Sequence, residues 1–78
     1  MARKTPVPEE ETAVAKRLAL AREATRLTRT AAANKIGVSV DQLFNYESGR
    51  APLPWTVGEE FCRQFSVSQR WLAFGILP

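Results

Sequence analysis

The stretch Leu27–Arg50, LTRTAAANKIGVSVDQLFNYESGR, decides the architecture of this chain. It reads as two short helices, residues 29–36 and 40–47, joined by a tight turn. Thr28 is placed to cap the first, its hydroxyl accepting from an N–H that has no partner within the helix. Ala31, Ala32 and Ile36 supply that helix's apolar face. Gly37 permits the positive φ that a sharp reversal requires. Ser39 and Gln42 have the spacing of a capping box, each side chain satisfying a backbone N–H at the start of the second helix. Leu43 and Tyr46 are its inward positions, and Gly49 stands where the helix should end.

Working outward, Pro6 and Pro8 disfavour helix at the residues before them, so residues 1–7 read as a flexible arm. Pro8 suits a first helical position, and Glu9, Glu10 and Glu11 complement the positive end of a helix dipole. The first helix should run from there to about Ala24, with Val14, Leu18, Ala21 and Thr25 on one stripe. Beyond the loop SGRAPLP at 48–54, the residues Trp55, Gly58, Phe61, Cys62 and Phe65 recur at three- and four-residue intervals. They form the expected inward stripe of a fourth helix, with Cys62 a packing residue and not a reactive one. Ser68 is placed to cap a fifth helix bearing Trp71, Leu72 and Phe74. Five short helices and no strand pattern make the expected fold class all-α, with the folded domain over 8–75 and an apolar tail at 76–78.

Size and composition narrow the function. Seventy-eight residues make one domain, near the lower limit for a core that needs no staples. One cysteine excludes an internal disulfide, and the lack of histidine argues against zinc. No apolar run is long enough for a bilayer, so the expected location is the cytoplasm. Net charge is +3, unevenly placed: residues 1–36 hold eight Lys/Arg against four Glu, whereas 37–78 hold three Arg against four acids. A basic half of this kind suits a polyanion such as DNA. An enzyme is not expected, since no nucleophile has an evident base and no glycine-rich phosphate loop is present. No cofactor, metal or small-molecule ligand is expected either.

Two helices at a steep angle across a glycine turn, here over about 28–48, make a helix-turn-helix whose second helix suits the DNA major groove. The chain resembles the Cro/repressor-type, or XRE-like, helix-turn-helix family over about residues 14–75. The similarity lies in L-T-x-x-x-A-A-x-K-I-G-V-S at Leu27–Ser39, Y-E-S-G-R at Tyr46–Arg50, and F-S-V-S-x-x-W-L at Phe65–Leu72 followed by Gly75. That resemblance implies a five-helix, phage-repressor-like DNA-binding domain. It also implies that Arg22 and Glu47 form an ion pair joining the first and third helices.

On the helical wheel, Asp41, Phe44, Asn45 and Ser48 face outward and Val40 sits at the leading tip. The expected base contacts are Val40, Asp41, Gln42, Phe44 and Asn45, with Val40 suited to a thymine methyl, Asp41 to cytosine and Asn45 to adenine. The expected phosphate contacts are Thr28, Arg29, Asn34, Lys35, Ser39, Ser48 and Arg50. Arg29 stands where the family usually has glutamine, and helix 40–47 carries two acids and no basic residue.

The leading expectation is therefore a sequence-specific regulator that reads double-stranded DNA as a homodimer. Trp71, Phe74, Ile76 and Leu77 are the expected dimer contacts, because a domain this small has little interior left for so many large apolar groups. The competing expectation is a protein-interaction module that keeps the fold and presents Val40, Asp41 and Phe44 to a protein partner.

Overall fold

The computed structural model describes residues 9–76, with side chains described from Thr12 onward. The expected arm at 1–7, Pro8 at the helix start, and Leu77 and Pro78 of the tail lie outside the described residues. Five helices follow in order: α1 (Glu9–Ala24), α2 (Arg29–Ile36), α3 (Val40–Glu47), α4 (Trp55–Phe65) and α5 (Gln69–Phe74). No strand occurs among the described residues, and none of their helices is long and apolar enough to cross a membrane.

The helix boundaries follow from local chemistry. The Thr28 hydroxyl accepts from the Ala31 N–H at 3.1 Å and starts α2. Gly37, at φ 80°, closes it with its N–H donating to the Ala33 carbonyl. At α3 both halves of the capping box are formed: Gln42 N–H donates to Ser39 Oγ at 3.0 Å, and Ser39 N–H donates to Gln42 Oε1 at 2.8 Å. Ser48 is the C-terminal cap of α3, and Gly49 turns the chain away at φ 77°. Ser68 caps α5, accepting from the Trp71 N–H at 3.2 Å.

Every helix contributes to one core. Leu18, Leu43, Phe61 and Leu72 are its largest fully buried side chains, one each from α1, α3, α4 and α5. From α2 come Ala32, Ala33 and Ile36, and the small alanines let neighbouring helices approach closely. The rings of Phe61 and Phe65 stack with centroids 4.3 Å apart. α3 packs against α1 and α2, while α5 packs against α1 and α4. This holds α3 on one side of the molecule with one face inward.

Three expected core positions are different in the structure. Thr25 lies beyond the end of α1, exposed, and its hydroxyl donates to the Arg22 carbonyl in a turn. The buried pair of α2 is Ala32 and Ala33, with Ala31 only half-buried, because the helix is rotated slightly about its axis relative to the expected face. Trp55, the first residue of α4, stays 45% exposed and lays its ring edge beside Gly58. A Cβ on Gly58 would meet Leu53 at 3.3 Å and Trp55 at 3.4 Å, so the glycine makes room for both.

Candidate nucleic-acid interface

α3 has two distinct faces. Leu43, Tyr46 and Glu47 are buried. Val40, Asp41, Gln42 and Phe44 are exposed, and Asn45 is half-buried. The expected base-contact residues thus share the outward side, with Asn45 the most recessed. Gln42 reaches that surface with its amide oxygen already engaged by the Ser39 N–H, which leaves its NH₂ group to donate.

The expected phosphate contacts are spread over the two helices and their flanks. Asn34, Lys35 and Arg50 are exposed, as are the capping residues Thr28 and Ser39. Ser48 is exposed too, its hydroxyl donating to the Asn45 carbonyl at 3.3 Å. Arg29 is the exception. Its Nε donates to Glu47 Oε1 at 3.0 Å, and its side chain is only 40% exposed. It is part of the fold as well as of the surface.

Glu47 is the centre of this arrangement. Arg22 Nε donates to Glu47 Oε2 at 2.6 Å and Arg22 Nη2 to Oε1 at 3.1 Å, a forked pair of the kind that guanidinium geometry favours. The remaining Arg22 nitrogen, Nη1, donates to the Leu27 carbonyl at 2.9 Å. Arg22 therefore ties α1 both to α3 and to the segment entering α2. The Glu47 side chain is 3% exposed, and its charge is matched before Arg29 is added.

Phe44 is covered in an unexpected way. The guanidinium carbon of Arg29 lies over its ring at 5.1 Å from the centroid, and that of Arg50 lies over it at 5.4 Å. An aromatic face is electron-rich, so each contact is attractive. The outward side of α3 is therefore aromatic and cationic, although the helix itself has no basic residue. Neither this contact nor the Arg29–Glu47 bond is evident from the sequence, because the three side chains come from separate elements. One signal was available: Arg29 takes the position of a neutral family residue beside the Arg22–Glu47 pair.

Arg17 on α1 serves the fold. Its Nε donates to the Leu72 carbonyl at 2.8 Å and Nη2 to the Ala73 carbonyl at 3.1 Å. There it caps the carbonyl end of α5, where a cation also suits the helix dipole. At the same end of α5, Phe74 is 73% exposed and Ile76 47% exposed, while Trp71 is half-buried. Trp55 and Phe74, with Gln69, Arg70 and Ala73, line a shallow apolar cleft of about 330 Å³.

A family model described as a helix-turn-helix domain matches residues 13–72. The chain belongs to the helix-turn-helix domain family. It is of the XRE-like type that the resemblance indicated. This helix-turn-helix domain is also similar in structure to the clp gene regulator ClgR from C. glutamicum, with a TM-score of 0.76 at 24% identity. That match covers 92% of this chain and 96% of the other. At that identity the likeness establishes the fold. No curated protein sequence matches the domain.

Proposed function

We propose that this domain is a DNA-binding transcriptional regulator that reads a specific sequence in double-stranded DNA as a homodimer in the cytoplasm. One observation carries the reading: α3 buries Leu43, Tyr46 and Glu47 and turns Val40, Asp41, Gln42 and Phe44 outward beside the cations Arg29 and Arg50. A helix held this way presents its side chains to base edges while its flanks contact phosphate. Val40, Asp41, Gln42 and Asn45 are the proposed base contacts. Thr28, Arg29, Asn34, Lys35, Ser39, Ser48 and Arg50 are the proposed phosphate contacts. The structural relative is named a gene regulator, which agrees with this reading.

A dimer fits the physical demand for specificity, since one such module spans few base pairs and two half-sites about one helical turn apart extend the readout. The exposed Phe74 and Ile76 support an interface there, joined by Trp71 and Leu77. The alternative of a protein-interaction module rested on an acidic, aromatic surface. Two guanidiniums over Phe44 make that surface less favourable to it.

The test is binding to labelled random-sequence duplexes across a salt series, followed by selection of preferred sites. DNA binding gives a linear fall of log affinity with log salt, because each phosphate contact releases counterions. Selection should then enrich a two-fold symmetric site. Retention of no duplex at the lowest salt would overturn the DNA reading, and a half-site without symmetry would overturn the homodimer.

A further inference from the structure

We infer that Phe44 is a positioning residue and not a base reader: its ring holds Arg29 and Arg50 as a pair of phosphate grips beside α3. This deepens the DNA-binding reading and rests on it. The two guanidinium carbons lie 5.1 and 5.4 Å from the centroid of one ring. Guanidinium is planar and weakly hydrated, so its face can lie against an aromatic ring while its N–H donors remain in the plane. Those donors match the oxygens of a phosphodiester.

The partners of the two arginines differ in a way that fits this role. Arg29 is fixed a second time by its Nε bond to Glu47, leaving its terminal nitrogens without a partner among the described residues. Arg50 has no carboxylate partner among those residues, so the Phe44 ring is what restrains its side chain there. Glu47 is already matched by Arg22. Arg29 and Arg50 together therefore leave an excess of positive charge next to α3, and two like charges held at one ring are relieved by an anion. Phe44 itself is 38% exposed and two cations lie over it, which disfavours contact between its ring and a thymine methyl.

The experiment measures binding of the full chain to a labelled random-sequence duplex over a salt series. The variants are Phe44→Leu, Phe44→Tyr, Arg50→Ala, Arg50→Lys and the pair Arg29→Ala/Arg50→Ala with and without Phe44→Leu. Phe44→Leu should weaken binding about three- to tenfold at every salt concentration, from the loss of two cation–π contacts. Its salt slope should match the wild type, because both charges remain. Phe44→Tyr should stay within about twofold of wild type, since the ring face is kept. Arg50→Ala should reduce the slope by about one phosphate's worth, roughly 0.9. Arg50→Lys should keep the slope but lose affinity, because lysine lacks the planar fork. In the double-alanine background Phe44→Leu should have no further effect.

Wild-type affinity in Phe44→Leu overturns the inference. So does a loss confined to a selected site with random duplex unaffected, which would make Phe44 a reader. If Phe44→Leu does not fold, Arg50→Lys decides, and unchanged affinity there is the negative result. Displacement of duplex by polyglutamate at equal charge concentration would instead assign the grips to an acidic protein. A wild type that binds no duplex at low salt removes the DNA reading and this inference together, whereas a salt-dependent wild type with an inert Phe44 removes only the inference.

Discussion

Glu47 is the buried carboxylate on which two arginines converge. With its side chain 3% exposed, it would be an isolated buried charge without Arg22, which is itself 9% exposed. Breaking such a pair from one side leaves the other charge desolvated and unmatched, which typically costs about 3–5 kcal/mol. Glu47→Ala should therefore lose stability in that range by urea denaturation. Arg29→Ala removes a more exposed partner and should cost about 0–1 kcal/mol. Equal losses in the two variants would show that Glu47 is not the buried partner the geometry describes. Cys62 offers a second test at this scale. Burial raises its pKa above the ordinary 9.0, so the fold favours the protonated thiol. The sign follows: its contribution is complete below the pKa of the unfolded chain and is lost as pH rises through the folded value. As pH rises above the pKa of the unfolded thiol, stability should thus fall more steeply in the wild type than in Cys62→Ala. Identical slopes in parallel urea titrations would show that burial of the thiol does not couple to folding.

At the level of elements, α3 joins packing to recognition because its two faces are chemically separate. Leu43 is fully buried there and Phe61 fully buried in α4. Leu43→Ala and Phe61→Ala should each lose about 2–5 kcal/mol, the cost of lost apolar transfer plus a residual cavity. Unchanged melting of both variants would contradict the helix register. On the outward face, Asn45→Ala and Asp41→Ala should change the preferred site, by about 1–3 kcal/mol for a good base contact. A gain in affinity for all sequences alike in Asp41→Ala would identify Asp41 as an electrostatic brake, since a carboxylate repels phosphate whatever the base. The half-buried position of Asn45 gives its variant an added cost in the fold, so melting must be measured alongside binding.

For the whole molecule, the most exposed large apolar side chain, Phe74, lies at the end of α5. Phe74 and Ile76 are exposed, and Trp55 lines the same cleft as Phe74. A two-fold contact through this surface should make the chain sediment as a dimer at tens of micromolar, on the order expected for a modest interface. A chain ending at Ala73 should sediment as a monomer. Should both run as monomers at that concentration, the tail covers its own domain and the dimer contact fails. Arg17 is relevant to the outcome, since it holds the Leu72 and Ala73 carbonyls and so fixes where the tail leaves α5.

The sequence by itself determined the helices and their ends. Thr28, Gly37, Ser39 with Gln42, and Ser68 act through neighbours within four residues, so their chemistry is legible without the fold. Apolar spacing likewise located Leu18, Leu43, Phe61 and Leu72, because a helical stripe has a fixed period. At the margins that method reached its limit: Thr25, Ala31 and Trp55 share the inward spacing, yet helix ends and small rotations leave them at or near the surface. Only tertiary structure decided the roles of the arginines. One side chain of this length can reach a carboxylate, a helix end or an aromatic ring, and spacing along the chain does not choose among them. Arg17 caps α5 across 55 and 56 residues of sequence, Arg29 joins a carboxylate 18 residues away, and Arg29 and Arg50 converge on Phe44 from either side of α3. These contacts depend on how the helices cross, which is a property of the packed core and not of any local segment.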